Sequence, residues 1–262
     1  AIGVHVLPPQ LEKLQLGCKF NRPLPPGTLP DSLRVVKFGN DFNQTFVPGV
    51  FPDNMQKLIM GDKFNQHFQQ GVLPANLLEL QFSSDSEWNQ LIVPATASYG
   101  TILPSKLQVL TFGDACNTFL VPKALPLSLR AITFGNNYNN SQKIGEYLAP
   151  GVIPPQVRRL YFGHKFQLKM RAVPESLMLI EACAEWIQSN ASTIPQHVVV
   201  SEIADEDDEL TYSYDAYDHN PFNTPSSFHE LEGKSIHIHM TSFFIYSYVC
   251  VALKIFNGID ID

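Results

Sequence analysis

The feature that most constrains this chain is a 22-residue period. One phrase recurs at least seven times: an apolar residue and Pro, two variable positions, an apolar triplet spaced as Leu-x-x-Leu-x-Phe, a Gly, then an aromatic followed by Asn. Units open at Pro8, Pro30, Pro52, Pro74, Pro104, Pro126 and Pro154, with weaker continuations at Pro174 and Pro195. Their spacings are 22, 22, 22, 30, 22, 28, 20 and 21 residues. Such a period marks stacked repeats, because one short unit cannot bury its apolar side alone and needs the next unit to cover it.

Each position in the unit has a physical reason. The apolar columns are Leu11, Leu33, Met55, Leu77, Leu107, Leu129 and Val157, then Leu14, Val36, Leu58, Leu80, Leu110, Ile132 and Leu160, then Leu16, Phe38, Met60, Phe82, Phe112, Phe134 and Phe162. The last two columns lie two residues apart, the spacing of one face of a strand. Pro cannot donate to a ladder and therefore belongs at the strand's beginning. Gly at 17, 39, 61, 113, 135 and 163 is expected to turn the chain with positive φ. Three residues later comes a core column of Phe20, Phe42, Phe64, Trp88, Cys116, Tyr138 and Phe166. The Asn that follows, at Asn21, Asn43, Asn65, Asn89, Asn117 and Asn139, is expected to point inward beside the aromatic. Its amide would bond backbone groups of its own and the neighbouring turn as a structural ladder.

The longer units carry their extra residues at 83–87, 95–101 and 141–150, which read as loops budding from the stack. The expected architecture is thus mainly β: a parallel-strand solenoid of about seven repeats over residues 7–197, after a lead-in at 1–6. Residues 198–262 do not match the repeat and read as a β-rich cap over the last open turn or as an appended segment, beginning with an acidic linker.

The marks Phe20-Asn21-Arg22, Phe42-Asn43-Gln44 and Phe64-Asn65-Gln66, with the Leu-Pro and Phe-Gly pairs before them, resemble the FNIP repeat family of social amoebae and of giant viruses that infect amoebae. The resemblance covers residues 7 to about 172. It implies a leucine-rich-repeat-like solenoid used for protein contacts, often following an N-terminal F-box that recruits ubiquitin-ligase machinery. No F-box sequence stands before Ile2. The chain departs from the pattern at Cys116, in the aromatic column, at Lys123, where a later Gly belongs, and at Gln167, in place of Asn.

Composition narrows the partners. A formal charge of -7, with 18 Lys and Arg spread along the chain, argues against binding to phosphate backbones. Cys18, Cys116, Cys183 and Cys250 show no metal-ligand spacing and read as free thiols in a reducing compartment. Sequons at Asn43, Asn139 and Asn190 read as chance matches. The N-terminus has no signal-peptide pattern. The apolar stretch 241–256 is short for a span and reads as strand. The expected location is intracellular, in the cytoplasm or within a virion or large assembly.

Between the apolar strand positions run two outward rows: Lys13, Val35, Lys57, Glu79, Val109, Ala131 and Arg159, and Gln15, Lys37, Ile59, Gln81, Thr111, Thr133 and Tyr161. The candidate partner face is Val35, Lys37, Lys57, Ile59, Val109, Arg159 and Tyr161, with Val35, Ile59, Val109 and Tyr161 expected to be exposed as a mixed patch. The insert loops and the Tyr-rich arm at 211–225 are further candidate contacts. His237 and His239 would share one strand face, but no third ligand stands near them in the sequence. The acidic run 202–209 lacks the alternation of a calcium loop. No nucleophile or phosphate-binding motif is present. No cofactor, metal or catalytic residue is expected. The sequence reads as a non-catalytic interaction module, a structural or scaffold subunit of an assembly, with an F-box-type adaptor as the alternative. An enzyme would have to draw on His219, His229, His237 and His239.

Overall fold

The computed structural model describes residue 2, residues 6–92, 102–139 and 147–203, and the backbone of 235–239 and 252–255. Every opening Pro, including the weaker Pro174 and Pro195, precedes a strand. They are β1 (Lys13–Leu16), β2 (Val35–Lys37), β3 (Lys57–Met60), β4 (Glu79–Phe82), β5 (Val109–Thr111), β6 (Ala131–Phe134), β8 (Arg159–Phe162), β10 (Leu179–Ala182) and β11 (Val199–Glu202). All pair in parallel in chain order, with Lys13 beside Val35, Val35 beside Lys57, and so on to Leu179 beside Val199. The chain is a parallel β-solenoid of about eight turns. Two short strands, β7 (Tyr147–Leu148) and β9 (Lys169–Met170), form a separate ladder. The one helix among the described residues, α1 (Ala184–Asn190), follows β10 and buries Trp186.

Three bends close each full turn. The Pro carbonyl accepts from the N–H three residues on, as in Leu33 to Pro30 and Met55 to Pro52. The bend after the strand is closed in the same way by Phe42 N–H to the Gly39 carbonyl. The third bend is Pro25-Pro-Gly-Thr28, Val47-Pro-Gly-Val50, Gln69-Gln-Gly-Val72 and Ala149-Pro-Gly-Val152, again with a bond from the fourth residue to the first. Gly27, Gly49, Gly71 and Gly151 hold φ between +77 and +84 there, as a type II turn requires at its third residue.

The glycines after the strand therefore have a different purpose from the one expected, since none of them has positive φ. They lie in direct backbone contact from turn to turn. A Cβ on Gly39 would stand 2.3 Å from the Gly17 carbonyl oxygen, one on Gly61 2.3 Å from that of Gly39, and one on Gly135 2.2 Å from that of Gly113. Close stacking, not torsional freedom, demands glycine in this column.

Lys123 is the one non-glycine residue with positive φ among those described, at 68°, in the turn Val121-Pro-Lys-Ala124. A side chain in the left-handed region costs roughly 1 to 2 kcal/mol, while glycine's larger unfolded-state entropy returns part of that. Lys123→Gly should stabilise the array by about 0.5 to 1 kcal/mol, read as a higher denaturation midpoint with unchanged slope.

The core is one continuous column of stacked side chains. Phe20, Phe42 and Phe64 stack at 6.0 and 6.2 Å between centroids, and Tyr138 stacks on Phe166 at 6.2 Å. Cys116 fills the same column, fully buried, and Tyr138 is buried beside it with its hydroxyl donating to the Thr118 carbonyl. Desolvation pushes the Cys116 thiol up to about 12, against a smaller opposing effect of its hydrogen bond to the Thr118 backbone. The native thiol thus keeps its proton between the ordinary value of 9.0 and about 12, a window in which the unfolded thiol gives it up, so rising pH favours unfolding there. At pH 8 an alkylating reagent should modify exposed Cys18 rapidly and Cys116 only after denaturation, with mass spectrometry of the peptides as the readout.

Past the repeat, β12 (Ser235–His239) and β13 (Ala252–Ile255) extend the sheet at its other end. β12 pairs in parallel with β1, Leu14 beside Ile236 and Leu16 beside Ile238, and β13 pairs antiparallel with β12. Within residues 198–262, β11 adds to the last turn, while β12 lies against the first turn.

Candidate strand face and amide ladder

Strand alternation sends one set of side chains into the core and the other onto the sheet's open face. The parallel register lines up that outer set into two rows, which β10 and β11 continue: Leu179 and Val199 in the first, Glu181 and Ser201 in the second. The sequence signal for this extension is the spacing of Pro174 and Pro195.

Of the candidate partner residues, Val35, Lys37, Lys57, Ile59, Arg159 and Tyr161 lie on this face, all half-buried. Lys57 pairs with Glu79 on the next strand at 3.0 Å, a cross-strand ion pair that fixes both side chains along the first row. Val109 is only 3% exposed and Ala131 only 4%, so the expected exposure of Val109 is corrected. The two stand side by side in the middle of the first row, on β5 and β6.

The six asparagines form an unbroken chain of bonds along another side of the stack. The Asn21 side-chain oxygen accepts from the Asn43 N–H at 3.0 Å, Asn43 from Asn65 at 3.0 Å, Asn65 from Asn89 at 3.1 Å, Asn89 from Asn117 at 2.9 Å and Asn117 from Asn139 at 3.1 Å. Asn139 in turn accepts from the Gln167 N–H at 2.8 Å. The Gln44, Gln66 and Gln90 amides donate to the same oxygens of Asn21, Asn43 and Asn65.

These asparagines do not point inward. Asn21 and Asn89 are exposed and Asn43, Asn65, Asn117 and Asn139 half-buried, because the residue after an inward aromatic is carried to the surface. Asn190 is buried and takes part in a different contact, accepting from the Met170 N–H and donating to the Trp186 carbonyl. Asn43→Ala would leave the Asn65 N–H and the Gln66 amide without that acceptor. At a half-exposed site water replaces part of the loss, so about 1 to 2 kcal/mol of stability should go, measured by urea denaturation.

Among the described residues no group of three or more His, Cys, Asp and Glu side chains is placed to hold a metal ion. No helix among them is long and apolar enough to cross a membrane. His219, His229, the acidic run beyond Ile203, the Tyr-rich arm and the insert at 95–101 lie outside the described residues, as does most of 141–150. The insert at 83–87 lies inside them, with Ser84, Asp85 and Glu87 exposed, while Ser83 and Ser86 are buried and Ser86 Oγ accepts from the Trp88 N–H.

Comparison with known proteins agrees with this geometry. A crystal structure of CroV588, a giant-virus protein described as a novel circular LRR protein, matches with 26% sequence identity and a TM-score of 0.52. The match covers 77% of this chain and 35% of that one, so this chain corresponds to about a third of its neighbour's length. No curated protein matches significantly. The FNIP Repeat family matches at residues 1–41, 20–63, 42–85 and 100–145, which together span half of the chain. Solenoids of this family and of leucine-rich-repeat type are characteristically interaction folds without catalysis. With its period, its three bends per turn and its Phe-Asn pairs in place, the chain belongs to the FNIP repeat family.

Proposed function

We propose that the protein is a non-catalytic, protein-binding structural subunit, which presents the strand face to other members of an assembly. The observation that carries this reading is the strand face itself. Nine parallel strands hold two rows of mixed side chains at a fixed spacing of about 4.8 Å, a surface whose geometry is set by the whole array and not by any one loop. Its composition suits a protein partner: Val35 and Ile59 offer apolar area, Tyr161 an amphipathic ring, and Lys37 and Arg159 charged groups.

The test is affinity purification from the native source with chemical cross-linking, wild type against Ile59→Glu and Tyr161→Ala, with Lys165→Ala, on an exposed turn, as control. Loss of the same stoichiometric partners in the two face variants and not in the control is expected. Equal recovery in all three would remove the strand face from the function. Recovery of ubiquitin-ligase subunits with one dominant target would favour the adaptor instead.

A further inference from the structure

We propose that the outer side of the β7–β9 ladder, where Lys169 and Arg171 flank Tyr147, is a second docking surface, and that it takes an acidic polypeptide segment of a partner protein. It belongs to the small ladder, apart from the strand face, and does not depend on that face binding anything.

Charge along the chain is the first argument. Residues 115–174 hold eight Lys and Arg and one Glu, a net of +7, whereas the whole chain carries -7. The remainder is thus at -14 by difference. On the described parts of that stretch, 115–139 and 147–174, stand seven basic side chains and no acidic one, while 140–146 adds one Lys and one Glu that cancel. A solenoid keeps neighbouring turns together, so charge segregated in its sequence is segregated in space as well. The result is a basic band across the turns of β6 and β8.

The small ladder gives this band a focus. Tyr147 stands beside Lys169 and Leu148 beside Met170. Leu148 and Met170 are buried, so strand alternation turns Tyr147 and Lys169 outward. Arg171, exposed and two residues past Lys169, sets its guanidinium over the Tyr147 ring, 4.3 Å from the centroid. That contact uses the flat face of the guanidinium and leaves its N–H groups, which lie in the plane, to meet a carboxylate. Lys123 adds a third cation: it is exposed, and its backbone N–H donates to Gly151 in the bend that follows β7. Among the described residues no carboxylate lies within ion-pair distance of Lys123, Lys169 or Arg171.

An aromatic ring carrying an oriented guanidinium, with ammonium groups beside it, suits Asp and Glu side chains in an extended partner segment. A long phosphate backbone would run beyond the band and meet the repulsion of the remaining chain, whereas a short acidic segment fits within the band.

The experiment measures fluorescence anisotropy of a short labelled peptide of Asp, Glu and Tyr against the full-length chain. A counterpart with Asn and Gln in place of the acids, and a single-stranded oligonucleotide, serve as the other probes. The acidic peptide should bind wild type at least about tenfold more tightly than its neutral counterpart, and rising salt should weaken it. Joint Lys169→Glu and Arg171→Glu should cost at least about tenfold, while the same charge change at exposed Lys19 and Arg22, in the first turn, should cost less than about twofold. Arg171→Lys, which keeps the charge without the planar fork, should lose several-fold, with circular dichroism checking that each variant is folded. No binding by wild type, equal losses in the two double variants, unchanged binding by Arg171→Lys, or tighter binding of the oligonucleotide than of the peptide would overturn the proposal.

Discussion

Gly61→Ala should cost the array at least about 3 kcal/mol, more than any surface substitution in the protein. The added methyl would lie 2.3 Å from the Gly39 carbonyl oxygen, 2.6 Å from the Gly39 carbonyl carbon and 2.9 Å from the Asn40 Cα. All three are backbone atoms, so no side chain can swing aside, and relief needs a separation of the second and third turns. That separation would stretch the parallel ladder between β2 and β3 and the Asn43 to Asn65 bond together. Overpacking in a yielding core costs about 1 to 3 kcal/mol, and a contact between two rigid backbones belongs at or above the top of that range. For an array of this size the melting temperature should fall by roughly 6 to 12 °C, read by calorimetry. A fall under 2 °C would mean that the turns are not locked at this column.

Phe64→Ala should cost about 3 to 5 kcal/mol. The ring is fully buried and contacts Phe42 at 6.2 Å, Phe46 at 5.6 Å and Phe68 at 5.2 Å, so its removal opens a hole where several aromatics meet. Phe42 and Phe46 belong to the preceding turn and Phe68 to the same turn, each held by its own ladder, so they cannot collapse into the space. Because each turn supports only the next, the loss weakens coupling across the middle of the stack. Urea denaturation should show a lower midpoint and, if the halves uncouple, a second transition. Phe64→Leu, which keeps much of the volume, should recover more than half of the loss.

The period made the fold legible in the sequence. The spacing of Leu14, Leu16 and Phe20 and their counterparts translates directly into strand, bend and stacked core, since each column must meet itself in the next turn. Three features were not legible in the same way. Gly39 and its column were read as torsional glycines, because sequence does not separate a residue that needs positive φ from one that lacks room for a Cβ. Asn43 was placed inside through its neighbour Phe42, although adjacent residues face opposite ways in extended chain. The burial of Val109 is a property of what surrounds the middle of the sheet and has no signature in the strand's own alternation. The seat of β12 on β1 is likewise a long-range pairing between segments that share no repeat phrase.

The asparagine chain also has a direction. Every side-chain oxygen from Asn21 to Asn139 receives its hydrogen from the turn that follows it in sequence, never from the one before. A turn once folded therefore offers a fixed acceptor to its successor, while an asparagine amide donates forward to a carbonyl of the successor at Asn139, to Lys165. During synthesis the N-terminal turns emerge first, so the acceptor of each asparagine pair leaves the ribosome before its donor. The direction of acceptance along the ladder is thus also the direction in which the turns are synthesised.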